Sequence, residues 1–114
     1  DIRVRAVPKK NNLKVSIIQG IDRKVDLEEL AESKGLEFPE LIDELESIVE
    51  SGTKIDIAYY LDEVLDEDLL EDMLSYFRET EEDDLEEAIQ ELGEDADDET
   101  IRLVRVKFLS EMGN

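Results

Sequence analysis

From Asn12 onward, apolar residues return every three or four positions, the spacing that gathers them on one face of an α-helix. Leu13, Ile17, Ile18 and Ile21 form the first such face, with Asn12 placed to cap it and Lys24 near its end. Asp26 stands three residues ahead of Glu29, a pairing similar to a capping box with Asp as the cap. Leu27, Leu30 and Ala31 then supply the buried side of a short second helix, which Gly35 stops. Leu36 and Glu37 complete a turn, and Pro39 falls in the first turn of a third helix, where its missing N–H costs nothing. Phe38, Leu41, Ile42, Leu45, Ile48 and Val49 make a stripe of period 3.6 down that helix as far as Gly52.

Three short helices, the second and third joined by a tight glycine-containing turn, describe a helix-turn-helix trihelical unit. We place it at 12–61. Within it Ile55, Ile57, Tyr59 and Leu61 alternate, which fits either a wing-like strand or the start of a fourth helix running on to Val64 and Leu65. Residues 1–11 are read as a basic linker or arm, because Ile2, Val4 and Ala6 alternate with Arg3 and Arg5 before Pro8. Residues 62–114 are read as a small acidic helical subdomain. Its stripes are Leu69, Leu70, Met73, Leu74 and Phe77, then Leu85, Ala88, Ile89 and Leu92 ending at Gly93. A last helix, capped by Asp97 or Asp98, carries Ile101, Val104, Phe108 and Met112 on one face. Leu103, Val106 and Leu109 widen that face, which predicts burial at the centre of the fold. The expected class is all-α, a winged-helix-like trihelical unit followed by the acidic helices. No fixed repeat is visible, which argues against a solenoid.

Charge divides the chain. Before residue 25, Arg3, Arg5, Lys9, Lys10, Lys14, Arg23 and Lys24 face only Asp1 and Asp22, a net +5; the rest holds 32 acids against six cations, a net −26 within the total of −21. A phosphate backbone is attracted by the first part and repelled by the second, so any nucleic-acid contact is expected through Arg3, Arg5, Lys9, Lys10 and Lys14. The acidic remainder favours basic protein surfaces. The chain opens on Asp1 rather than Met, with no signal-like apolar run, and is expected to begin inside a longer protein. No stretch approaches the apolar length needed to span a bilayer, and there is no Cys for a disulfide framework. A cytoplasmic location without membrane contact is the expectation.

Composition also limits the chemistry. Without His or Cys, imidazole general bases, thiol nucleophiles and ordinary zinc sites are excluded. The five glycines are isolated, and none belongs to a phosphate loop. The run Asp62, Glu63, Asp66, Glu67, Asp68, Glu71 and Asp72 invites a calcium reading, but it lacks the alternation and the sixth-position Gly of an EF-hand. The run Glu79, Glu81, Glu82, Asp83, Asp84, Glu86 and Glu87 reads as a solvated loop and helix start. Tyr59, Tyr60, Tyr76 and Phe77 are candidate stacking platforms for bases, with core packing the better fit to their aliphatic and acidic neighbours. No catalytic, cofactor-binding or metal-ligating residue is assigned.

The third helix raises a separate question. In helix-turn-helix DNA readers its outer face carries Arg, Lys, Asn or Gln, whereas here it carries Glu40, Asp43, Glu44, Glu46 and Glu50. Those carboxylates oppose the phosphate field.

The runs Leu30-Ala31-Glu32-Ser33-Lys34-Gly35-Leu36, Leu41-Ile42-Asp43-Glu44-Leu45-Glu46-Ser47-Ile48-Val49-Glu50-Ser51-Gly52 and Ile55-Asp56-Ile57 resemble the helix-turn-helix domain at the C-terminal end of bacterial RecQ-type DNA helicases. Leu13 to Lys24, Tyr60 to Asp68 and Ile101 to Glu111 look like the same tail. The resemblance implies a parent that is an ATP-dependent 3′-to-5′ DNA helicase of repair and recombination, associated with the nucleoid. Its ATP, Mg and Zn sites would lie in regions N-terminal to residue 1. No catalytic motif of that family maps onto a residue here. The implied role is therefore a non-catalytic accessory domain, regulatory or protein-binding, whose first partner is the rest of the helicase chain. Two alternatives accompany it: a DNA-binding domain that adds substrate affinity, and an acidic mimic of nucleic acid.

Overall fold

The computed structural model describes residues 10–81 and 83–112. Among these residues seven helices follow one another: α1 (Lys10–Asp22), α2 (Leu27–Ser33), α3 (Phe38–Glu50), α4 (Ala58–Val64), α5 (Glu67–Glu79), α6 (Leu85–Leu92) and α7 (Asp98–Met112). Among the described residues there is no strand, so the molecule is all-α.

Helix starts follow side-chain chemistry. The Asp26 carboxylate accepts from the Glu28 and Glu29 N–H groups at 3.0 and 3.2 Å, satisfying two orphan donors of α2. Asp84 does the same for α6, and Asp66 accepts from one such donor, the Asp68 N–H, at the start of α5. Asp97 is the cap of α7, accepting from Thr100 N–H at 2.8 Å. The start of α3 has a reciprocal arrangement: Glu37 caps, the Glu40 carboxylate accepts from Glu37 N–H at 2.8 Å, and Pro39 occupies the first turn. The first helix departs from expectation by beginning at Lys10, so Asn12 lies within it as an exposed position.

Two glycines set the geometry of the helix-turn-helix unit. Gly35, at φ +71°, turns the chain through a left-handed conformation between α2 and α3 that a side chain would resist. Gly20 lets α1 approach α2, since a Cβ there would stand 2.6 Å from Leu30 Cδ1.

The core is continuous. Ile17 and Ile21 of α1, Leu27 and Leu30 of α2, and Leu41, Ile42, Leu45 and Ile48 of α3 join Leu61, Met73, Ala88, Ile101, Leu103, Val104 and Val106 in one buried cluster. Helix α7 is its axis, packing against α3, α4, α5 and α6. Such a position demands apolar residues on several sides, which is why Ile101, Leu103, Val104 and Val106 are all buried. Met112 is the exception to the expected stripe, being 67% exposed at the helix end. The boundary expected at 61/62 falls inside α4, and the core runs across it.

Segment 53–57 forms neither a wing strand nor a helix. Ile55 and Ile57 are buried while Lys54 and Asp56 are exposed, the two-residue alternation of a strand. In place of a partner strand, the buried Ser110 hydroxyl of α7 accepts from Ile55 N–H at 2.9 Å and donates to Ile55 C=O at 2.7 Å. One side chain satisfies both backbone groups that a wing would have paired.

Candidate interaction surface

In a helix-turn-helix unit the outer side of the third helix is the place to look for function. In this molecule Glu40, Asp43 and Glu50 are exposed, and Glu44 and Glu46 are half-buried. The flank bearing Asp43 and Glu46 faces α7. Arg102 donates to Glu46 through Nε at 3.1 Å and Nη2 at 2.8 Å, and to Asp43 through Nη2 at 2.6 Å. The paired contact with Glu46 is bidentate, and both side chains are only 18% exposed. The hydrogen bonds it donates to Glu46, ahead of the one it donates to Asp43, hold the Arg102 guanidinium above its usual pKa, against the opposing effect of burial. Glu44 adds a further acidic feature: its Oε1 is buried and meets no donor among the described residues.

Of the cations expected to meet phosphate, Lys14 lies half-buried on α1, and its ammonium donates to the Ser47 hydroxyl of α3. Its head group is thus engaged within the unit. Lys10 begins α1, but its side chain, with Arg3, Arg5 and Lys9, lies outside the described residues.

Three other cations, on α5 and α7, are also engaged. Arg105 forms a bidentate pair with Asp83 at 2.8 and 2.7 Å, Arg78 meets Glu71 at 2.8 Å, and Lys107 meets Glu111 at 2.6 Å. Sequence reasoning did not single out Arg102 or Arg105. Their signal was spacing: they fall three apart in α7, among the few cations of a strongly acidic stretch.

The carboxylate runs have local roles. Asp66 caps α5, Glu71 pairs with Arg78, Asp84 caps α6, and Asp83 pairs with Arg105. Among the described residues no three of them converge as metal ligands would. None of the described helices is long and apolar enough to cross a membrane.

The aromatic residues are packed. Tyr59 donates to Val25 C=O at 2.5 Å and Tyr60 to Glu28 Oε2 at 3.1 Å, tying α4 to the start of α2. Burial, followed by the charges of Asp26 and Asp56, pushes the Tyr59 hydroxyl up to about 12. Phe77 packs edge-on to Tyr76 and stacks with Phe108 at 5.9 Å between centroids.

A trihelical helix-turn-helix unit, its third helix acidic and flanked by a later helix, is the class that fold and surface define. Within it, residues 11–61 match the family model of the RecQ-1-like helix-turn-helix domain, and this part of the chain is similar to domains of that type. The match takes in α1 to α3 and the first half of α4; α5, α6 and α7 lie beyond it. A search of curated proteins gave no match.

Proposed function

We propose that this chain is a non-catalytic accessory module of a RecQ-type DNA helicase, working through protein contacts that tether or regulate the motor. The observation that carries the reading is the state of α3. Its outer side presents Glu40, Asp43 and Glu50, and the Asp43–Glu46 flank is joined to α7 by Arg102. A helix seated in a major groove needs donors toward base edges and cations toward phosphates, and acids there oppose binding. The excess of acids over cations suits a basic protein surface instead. Any DNA contact is weak and runs through Arg3, Arg5, Lys9 and Lys10, with ATP, Mg and Zn belonging to other parts of the helicase.

Fluorescence anisotropy with single-stranded and duplex DNA, at low and physiological salt, tests this. The expected result is no binding, or weak binding independent of sequence. Tight binding that falls steeply with salt would instead make the chain a DNA-affinity domain.

A further inference from the structure

A pocket of about 360 Å³ opens between α2, the start of α3, α4 and the start of α7. Its lining is Glu28, Phe38, Tyr60, Val64, Asp97, Glu99 and Thr100. Three features set it apart from a generic acidic surface. The wall is apolar: the Phe38 and Tyr60 rings lie 6.0 Å apart between centroids, tilted by 44°, and Val64 is 44% exposed, one of the few large hydrophobic side chains left open. Around that wall stand three carboxylates, Glu28, Asp97 and Glu99, and the lining holds no Lys or Arg. The field is also felt within the site, where burial first, and then the hydrogen bond and charge of Glu28 with the charges of Asp26 and Asp97, hold the Tyr60 hydroxyl above its usual range. Asp97 is held below the usual carboxylate range, chiefly by its hydrogen bonds with Thr100, and stays charged at neutral pH.

We propose that this pocket receives an arginine side chain from a basic partner protein. An anion is repelled by three carboxylates, and a neutral apolar residue leaves them unanswered. Arginine meets both halves of the site: its methylene stem covers Val64 and Phe38, its planar guanidinium lies against an aromatic ring, and its fork of donors reaches carboxylate oxygens. Glu28 and Asp97 retain acceptor capacity beyond the hydrogen bonds they accept from Tyr60 and Thr100. The proposal rests on the protein-contact reading above and adds where the contact is made and which side chain makes it.

The test is an amide NMR titration of the chain with a short glycine-serine peptide carrying two neighbouring arginines. Matched peptides carry lysine, citrulline or glutamate instead. The expected shifts gather at Phe38, Tyr60, Val64, Glu99 and Thr100, strongest for arginine, weaker for lysine and absent for the other two. Glu99→Gln is expected to weaken arginine-peptide binding about fivefold, the scale of one partly exposed ion pair. Val64→Ser, at a position exposed enough to leave the fold intact, is expected to weaken it about threefold by removing apolar wall. Shifts spread along α5 and α6, with no effect of either substitution, would overturn the pocket while leaving the protein-contact reading standing. Absence of any arginine-dependent shift would also overturn it. Tight DNA binding in the anisotropy experiment strikes the broader reading, so the two failures are separable.

Discussion

Helix α3 and helix α7 both carry apolar residues at helical spacing, yet they pack in different ways. Helix α3 buries one side, Leu41, Ile42, Leu45, Ile48 and Val49, and leaves acids on the other. Helix α7 buries residues on several sides, because α3, α4, α5 and α6 surround it. The one-sided helix lies within the residues that match the family model, and the many-sided one lies outside the match. The difference teaches that the helix-turn-helix unit is not closed by its own residues. Helix α7 supplies its missing wall, and through Ser110 the hydrogen bonds of an absent wing.

The sharpest way to break that dependence is to stop the chain after Ala96. Removing α7 uncovers the apolar faces of α3 and α5 together, and thermal melts followed by circular dichroism should lose the cooperative transition of the whole molecule, not of its last third alone. A retained transition in α1 to α3 would show that the trihelical unit stands by itself.

A smaller probe is Ser110→Ala, which leaves the Ile55 N–H and C=O unpaired in a buried setting at a cost of about 1–3 kcal/mol. Urea denaturation should read this as a lower midpoint with unchanged slope. Next comes Arg102→Met, which keeps the stem and removes the charge. Most of its effect arises at the half-buried Glu46, since Asp43 stands in solvent, and about 1–2 kcal/mol is expected. Part of that loss should be recovered at higher salt, which screens the freed carboxylates.

The least effect concerns pH. Tyr59 is pushed up to about 12 from an ordinary 10, so the folded state favours the protonated phenol. Its contribution to stability is complete below about pH 10 and is lost as pH rises toward about 12. Tyr59→Phe should flatten the alkaline edge of the stability profile over that window, and a superimposable profile would remove Tyr59 from the account.

Much of the fold was legible in the sequence because its signals are local. Asp26, Gly35, Pro39 and the stripe from Leu41 to Val49 place α2 and α3 without reference to distant residues. The breadth of Ile101, Leu103, Val104 and Val106 was enough to put the last helix at the centre. What escaped was pairing across the chain. Ser110 and Ile55 lie 55 positions apart, as Arg102 and Glu46 lie 56, and no periodicity links them. The 53–61 stretch was ambiguous for a physical reason: Ile55 and Ile57 carry strand alternation, while Tyr60 and Leu61 follow helical burial. Both patterns are present, and the change falls near Ala58. The pocket beside Phe38 and Tyr60 was likewise hidden, since its acids come from α2 and from the start of α7. On the N-terminal side, Arg3, Arg5 and Lys9 lie outside the described residues, and Lys14 is drawn to Ser47.

The most direct test of the central claim is an amide NMR titration of the intact chain with duplex DNA. The acidic outer side of α3 predicts no movement at Glu40, Asp43, Glu46 or Glu50, with any shifts confined to the basic N-terminal positions. Shifts running along α3, growing as salt is lowered, would mean that this helix does enter the groove and that the protein-contact account is wrong.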